Sequence, residues 1–187
     1  MPAEIKRALN YRAKCLIIGD STVGKSALTQ VFCSDGVHYP KNYSMTTGVE
    51  FVTKQLSIAS TLDSVEFFLY DSAGKEEFGD IVDVHMKDAK IIVLVYDVTN
   101  IDSFENLSEW YKKLEAANNG KTLHGAIIGN KVDLTDRQVV TSEMGQNLAD
   151  QLHLHFFECS AKDMRNIDAP FQTIAKDYYD RVNEVPS

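Results

Sequence analysis

One short motif limits the folds open to this chain more than any other feature. The segment GDSTVGKS (residues 19–26) fits the pattern G-x-x-x-x-G-K-[ST]. It follows the apolar run AKCLII and opens the segment KSALTQVFCS, so it lies between a predicted buried strand and a predicted helix. Glycines in such a loop let successive backbone N–H groups point inward, and the helix N-terminus adds partial positive charge. The motif therefore predicts an α/β fold with a phosphate-binding loop.

Apolar runs of strand length alternate with helical patterns along the rest of the chain, which is typical of βαβ units and a parallel sheet. The predicted strands are residues 13–19, 48–58, 64–71, 90–97, 125–130 and 154–160. The second and third flank the turn-forming segment ASTLDS and are predicted to pair as an antiparallel hairpin. The predicted helices are residues 25–34, 101–117, 142–152, which Gly145 interrupts, and 166–182. The expected architecture is a six-stranded, mostly parallel sheet with one antiparallel strand and helices on both faces.

The length and composition fit one soluble domain. A chain of 187 residues is long enough for a single sizeable core and short for two. We expect one domain over residues 1–187, with its core at residues 12–182 and short tails at both ends. No run of eighteen apolar residues occurs, so no membrane span is expected, and the cytosol is the default compartment. A net charge of −8 disfavours nucleic acid and anionic membranes as partners, because both are bound through basic patches.

The phosphate loop also predicts a magnesium site. Lys25 is expected to contact the β and γ phosphates of a nucleotide, and the Ser26 hydroxyl is expected to bind magnesium. Asp71 ends the predicted strand SVEFFLYD, which places a carboxylate where it can hold magnesium through water. Taken alone, the glycine-containing loop has a simple turn as its alternative. Taken alone, Asp71 has an ordinary strand end as its alternative. The other loop residues expected to line the phosphates are Ser21, Thr22, Val23, Gly24 and Ala27.

Two later motifs predict the base. NKVD (residues 130–133) follows the strand GAIIG, and the Asp133 carboxylate can accept hydrogen bonds from N1–H and the exocyclic amine of guanine together. Adenine has no such donor pair on that edge, so the wrong base would leave a polar group unpaired. CSAK (residues 159–162) follows the next strand, where backbone N–H groups near Ala161 would meet the guanine O6. The residues expected around the base are Asn130, Lys131, Asp133, Ser160, Ala161 and Lys162.

In their order along the chain these motifs resemble those of the Ras superfamily of small GTPases. GDSTVGKS, TTGVEF, DSAGKE, NKVD and CSAK correspond to its five guanine-nucleotide motifs, and the resemblance covers almost the whole chain. It implies a P-loop NTPase fold of the small G domain type that binds GTP or GDP with Mg²⁺. TGVEF and YDVTN are similar to Rab signatures. The resemblance further implies Thr46 as a magnesium ligand, Tyr39 against the guanine edge, and the Gly74 backbone N–H on the γ-phosphate.

A narrower resemblance concerns ciliary transport. SDGVHYPKNYSMTTGVEF, together with YDSAGKE and ECSAKDMRNIDAPF, is similar to Rab-like GTPases of the intraflagellar transport B complex. That resemblance implies a small β-sandwich subunit and other subunits of the same complex as partners. It also implies a place at the cilium or flagellum and its base, which nothing in the composition indicates.

Two features depart from the Rab pattern. No cysteine follows Cys159, so we expect neither a prenyl group nor a direct lipid anchor. Lys75 takes the catalytic position of the switch II glutamine, which orients the attacking water in typical members. An ammonium has three donors and no acceptor, so it cannot replace an amide, and we expect slow hydrolysis. Lys75 would instead pair with the γ-phosphate, pair with Glu76 or Glu77, or remain solvated.

Four functions remain open at the level of sequence. The leading hypothesis is a GTP-binding switch or structural subunit with low intrinsic hydrolysis. The alternatives are a Rab-type GTPase of vesicle traffic that depends on an activating protein, and a scaffold whose nucleotide only staples the fold. An enzyme of ATP-dependent phosphoryl transfer is a further alternative, and NKVD speaks against it.

Overall fold

The protein is described from a computed structural model, which covers residues 8–40, 45–74 and 79–184. The strands found there are β1 (Asn10–Ile18), β2 (Val49–Ser57), β3 (Ser64–Ser72), β4 (Ile91–Asp97), β5 (Gly125–Asn130) and β6 (His155–Cys159). The helices are α1 (Lys25–Cys33), α2 (Gly79–Met86), α3 (Ile101–Glu105), α4 (Leu107–Ala117), α5 (Ser142–Leu152) and α6 (Asp168–Asn183). Among the described residues, no helix combines the length and the apolarity needed to cross a bilayer.

The six strands form one sheet in the order β2-β3-β1-β4-β5-β6. β2 pairs antiparallel with β3, and every other neighbouring pair is parallel. β4 and β5 are buried at every position, as expected for central parallel strands that are covered on both faces. The predicted fold class, with one antiparallel strand at the edge of a mostly parallel sheet, is confirmed.

Helices cover both faces of the sheet, because alternate residues of the central strands point to opposite sides. Cys15 and Ile17 of β1 belong to a core on the face of α1 and α6. On that face the rings of Phe32 and Phe171 stack with their centroids 3.8 Å apart. Leu16 and Ile18 belong to a second core on the face of α2, α4 and α5. The two cores hold the sheet rigidly between two layers of helices.

The structure differs from the predicted elements at three places. The helix expected over residues 101–117 is broken at Asn106 into α3 and α4. α2 was not predicted at all. α5 runs without interruption through Gly145, which lies so close to β6 that a β-carbon there would be 2.3 Å from the Phe156 ring. The glycine expected to interrupt the helix therefore allows it to pack closely on the sheet.

The carboxyl ends of the parallel strands meet at one edge of the sheet, where open α/β sheets bind their ligands. The phosphate loop follows β1 there, and Asp71 lies near the end of β3. Asp97 ends β4, Asn130 ends β5, and Ser160 comes directly after β6. Residues from distant parts of the sequence are thereby gathered at this edge.

Candidate nucleotide site

Lys25 lies over its own phosphate loop. It is the first residue of α1, and it is only 5% exposed. Its Nζ donates to the carbonyl oxygens of Gly19 at 2.8 Å and Asp20 at 2.6 Å. Burial lowers the pKa of Lys25 to about 8, while the carboxylates of Asp71 and Asp20 oppose that shift. The ammonium is therefore desolvated and aimed at the concave side of the loop, where the phosphates of a nucleotide would contact it.

The other predicted residues of the phosphate loop lie on the same turn. Val23 is buried, Gly24 is the N-cap of α1, and Ser21 and Ala27 are half-buried. Thr22 is exposed and has a φ of 66°, in the left-handed region. A β-branched side chain is strained in this region, which glycine adopts freely. The threonine therefore stores strain in the loop.

Thr22→Gly is expected to stabilise the folded chain by about 1 kcal/mol. Relief of left-handed strain is worth roughly 1–3 kcal/mol, and the extra backbone entropy of glycine takes back about 0.5–1 kcal/mol. The measurement is urea denaturation of both proteins at equal GDP and magnesium concentrations. Ser21→Gly is the matched control, since Ser21 has no positive φ and its replacement should lower stability. If Thr22→Gly lowered the free energy of unfolding as much as the control does, the inference that Thr22 is strained would be contradicted.

The three predicted magnesium ligands come together from three separate segments. The hydroxyls of Ser26 and Thr46 are 2.8 Å apart, although the two residues are 20 positions apart in sequence. Asp71 is 2% exposed. Burial raises the pKa of its carboxyl to about 6, and the neighbouring Ser26 hydroxyl and Lys25 ammonium oppose the shift. The result is a compact, largely desolvated group of oxygen atoms.

This group fits magnesium. The Oδ1 atom of Asp71 is buried and has no hydrogen-bond partner among the described residues. A buried carboxylate oxygen without a partner is costly, and a divalent cation would satisfy it directly or through a bound water. Two hydroxyls and a carboxylate are hard oxygen donors of the kind that Mg²⁺ prefers.

Asn130 ties the phosphate loop to the base motifs. Its side chain is 1% exposed, and its Nδ2 donates to the Val23 carbonyl at 2.9 Å. Its Oδ1 accepts from the Ala161 backbone N–H at 3.2 Å. One amide therefore bonds to the phosphate loop on one side and to the CSAK segment on the other. This fixes the distance between the predicted phosphate and base sites.

Asp133 is oriented by its neighbours. The Ser160 hydroxyl donates to Asp133 Oδ1 at 2.6 Å, and the Lys162 ammonium lies 3.6 Å from Oδ2. The Asp133 side chain is 6% exposed, whereas that of Lys162 is 63% exposed. Each carboxylate oxygen keeps a further lone pair, so two donors on the edge of a base can still be accepted. The geometry suits the pair of N–H groups that only guanine among the common purines presents.

Lys131 pairs with Asp97, a site residue that the sequence analysis did not predict. Its Nζ donates to the Thr22 carbonyl at 2.7 Å and lies 2.6 Å from Asp97 Oδ2. Lys131 thus adds a second link between the NKVD segment and the phosphate loop. Asp97 ends β4 at the same sheet edge at which Asp71 lies in β3, and this shared position was the signal that could have identified it.

Three predicted residues are less fully defined. Lys75 lies outside the described residues. Gly74 is the last described residue before that gap and packs against the phosphate loop. Tyr39 is 41% exposed, close to the gap at residues 41–44, and its place at the guanine edge stays a prediction.

The fold and this edge of the sheet define a class of protein. The sequence model of the Ras family matches residues 14–180, so this chain belongs to the Ras family. Members of that family bind GTP or GDP together with Mg²⁺.

The chain is also similar to particular members of the family. It is 45% identical over 172 residues to the intraflagellar transport protein 27 homolog of Mus musculus, with 92% of each chain covered. It is 47% identical over 167 residues to the Bos taurus homolog, with 89% of this chain and 90% of the relative covered. Intraflagellar transport protein 27 of Chlamydomonas reinhardtii is 36% identical over 182 residues, with 95% of this chain and 88% of the relative covered. The predicted resemblance to Rab-like GTPases of intraflagellar transport is confirmed.

Proposed function

We propose that this chain is a Rab-like small GTPase of intraflagellar transport, acting as a nucleotide-dependent switch or structural subunit with low intrinsic GTP hydrolysis. The observation that carries the proposal is the Asn130 amide, which bonds to Val23 of the phosphate loop and to Ala161 beside the base. Both partners lie in predicted nucleotide motifs, so this one buried amide holds the phosphate-binding and base-binding segments in register. The similarity to intraflagellar transport proteins supplies the cellular role.

The proposed cofactors are GTP or GDP and Mg²⁺. Lys25 and the N-terminus of α1 would bind the β and γ phosphates, and Asp133 and the Ala161 N–H would bind guanine. Ser26, Thr46 and Asp71 would hold magnesium. A magnesium ion held there would neutralise the charge of the phosphates. The proposed domain is a single G domain with its core at residues 12–182.

Slow hydrolysis follows from the chemistry of Lys75. Positioning of the attacking water needs an acceptor for the water and a donor toward the phosphate, and an ammonium supplies donors only. The proposed contacts of Thr46 and Gly74 with a γ-phosphate do not require the side chain of Lys75. The loops can therefore distinguish GTP from GDP even where turnover is slow.

Lys75→Gln is expected to raise the intrinsic hydrolysis rate by about tenfold, because the amide restores both an acceptor and a donor. The measurement is single-turnover hydrolysis of bound GTP at saturating magnesium, without any partner protein. Lys75→Met is the matched control, since it removes the charge without adding an amide. Equal rates for the native chain and Lys75→Gln would contradict the assignment and favour a GTPase whose catalytic groups come from an activating protein.

The proposed partners are a small β-sandwich subunit and other subunits of the intraflagellar transport B complex, at the cilium or flagellum and its base. The net charge of −8 favours recruitment by protein contacts over attraction to an anionic membrane. The exposed residues of β2, which begins three positions after Thr46, give such a contact a place. Phe51 is 54% exposed there, and its ring lies 5.2 Å from that of Tyr70. Exposed aromatic rings are enriched where proteins bind one another.

The experiment that tests the proposal is to identify the nucleotide bound after gentle purification, and then to measure partner binding in each loaded state. We expect guanine nucleotide near one mole per mole, displaced by GTP and GDP and not by ATP. Partner binding that differs between GTP and GDP would support the switch. Binding insensitive to the nucleotide would favour the scaffold, in which the nucleotide only staples the fold. Displacement by ATP would contradict the proposal.

A further inference from the structure

The carboxylate of Asp20, the second residue of the phosphate loop, bonds to a part of the chain outside every nucleotide motif. Its Oδ1 accepts a hydrogen bond from the indole N–H of Trp110 at 2.8 Å. Its Oδ2 accepts one from the side-chain amide of Asn106, also at 2.8 Å. Both donors lie in the segment where α3 ends and α4 begins, which we call the α3–α4 junction (residues 106–110). Both oxygens of one carboxylate therefore face one short segment.

Asn106 is also the point at which the helix is broken. It is the N-cap of α4, yet its side chain accepts no hydrogen bond from that helix. At the start of α3, by contrast, the Asn100 side chain accepts from the Ser103 backbone N–H in the ordinary way. The Asn106 amide instead reaches Asp20, 86 positions away in the sequence. Its side chain therefore serves the phosphate loop and not its own helix.

The backbone of Asp20 meets the two groups expected to contact the terminal phosphate. Its carbonyl accepts from the Lys25 ammonium at 2.6 Å. Gly74 lies against the same peptide, because a β-carbon on Gly74 would come within 2.2 Å of the Asp20 carbonyl carbon and 2.3 Å of the Ser21 nitrogen. A phosphate that accepts a hydrogen bond from the Lys25 ammonium or the Gly74 N–H therefore moves a group that is in direct contact with Asp20.

We infer that Asp20 is a positioning residue that couples the bound phosphates to the α3–α4 junction. The junction is then a third nucleotide-responsive element, beside the loops that carry Thr46 and Gly74. The inference rests on the proposed binding of guanine nucleotide. The Asp20 carboxylate is bonded at both oxygens, so it cannot rotate without breaking a hydrogen bond. In closely packed segments a small displacement of one residue is transmitted to its neighbours. A shift of the Asp20 peptide must therefore alter the bond to the Trp110 N–H.

Trp110 makes the coupling measurable, because it is the one tryptophan of the chain. Replacement of GDP by a non-hydrolysable GTP analogue, with magnesium present, is expected to change the tryptophan fluorescence of the native chain. Asp20→Ala is expected to lose that change. Asp102→Ala removes an exposed acid of α3 that has no side-chain bond to the phosphate loop, and it should keep the change. Chromatography of the denatured samples measures how much nucleotide each variant holds.

Release of a fluorescent GDP analogue gives a second measurement that does not need the tryptophan. Trp110→Phe loses one charge-assisted hydrogen bond and is expected to release the analogue about tenfold faster, and Asp20→Ala loses two and is expected to release it at least as fast as Trp110→Phe. Trp110→Phe keeps an aromatic ring in place and removes the N–H donor together with part of the indole ring. Asn106→Ala removes the other donor to Asp20 and leaves the indole intact, so faster release in that variant as well would show that the hydrogen bonds to Asp20, and not ring packing, slow release. This variant also keeps the test valid if Asp20→Ala does not fold.

Three results would overturn the inference while leaving the proposed function intact. They are a full fluorescence change in Asp20→Ala, native release rates in Trp110→Phe, and a nucleotide-loaded native chain whose fluorescence does not depend on the nucleotide. A chain that takes up no guanine nucleotide would overturn the proposed function, and the inference with it.

Discussion

Asp133→Asn is expected to lower the affinity for GDP by about 10²- to 10⁴-fold and to create affinity for xanthosine diphosphate. The native carboxylate offers two acceptors to the N1–H and the exocyclic amine of guanine, and charge-assisted bonds of this kind contribute about 1.5–3 kcal/mol each. An asparagine amide offers one acceptor and places its NH₂ against the guanine amine, which is also a donor. Xanthine carries a carbonyl oxygen at that position, so the same NH₂ can donate to it.

The measurement is competition of GDP and xanthosine diphosphate against a fluorescent nucleotide, for the native chain and the variant. Asp136→Asn is the matched control, because Asp136 is an exposed acid in the 3₁₀ turn just beyond the site. The Ser160 hydroxyl still has an oxygen acceptor in Asp133→Asn, so the loop should keep its shape. An unchanged preference for GDP in the variant would refute the assignment of Asp133 to the base.

Lys25→Met is expected to weaken GDP binding by about 10²- to 10⁴-fold, because it removes two or more charge-assisted contacts to the phosphates. Methionine fills a similar volume, so the stem of the side chain remains packed. The measurement is the dissociation constant of a fluorescent GDP analogue at saturating magnesium. Lys90→Met, at an exposed lysine before β4, is the control and should bind normally. A loss smaller than tenfold would contradict the proposed contact.

The same residue makes nucleotide binding depend on pH in a defined direction. Burial lowers the pKa of Lys25 to about 8 from its ordinary value near 10.5. Between those values the unfolded chain holds more protons than the folded, nucleotide-free chain, so the stability of the nucleotide-free protein rises with pH in that window. Phosphates favour the ammonium, so GDP affinity should fall as pH rises above 8, by up to about tenfold per pH unit. Lys25→Met should lack this slope.

Local patterns were enough to predict most of the fold. The buried strands read as apolar runs, and α5 occupies the predicted residues 142–152. α2 was missed because it is only eight residues long and its apolar residues form two overlapping helical pairs, Val82 with Met86 and Ile81 with Val84. Val82 and Met86 are buried, whereas Ile81 and Val84 are 48% and 67% exposed. Packing against the sheet decides which of these four side chains are buried, and the sequence alone does not show which pair faces the sheet.

The sequence by itself determined the chemistry of the candidate site, because each nucleotide motif is local and carries its own donors and acceptors. Only the tertiary structure decided how the motifs are joined. Asn130 reaches Val23 across 107 positions and Ala161 across 31, and Asp20 reaches Trp110 across 90. Such bonds form only after the sheet has brought the strand ends together. A short-range pattern therefore predicts which groups bind, while the order of the strands determines which groups hold one another in place.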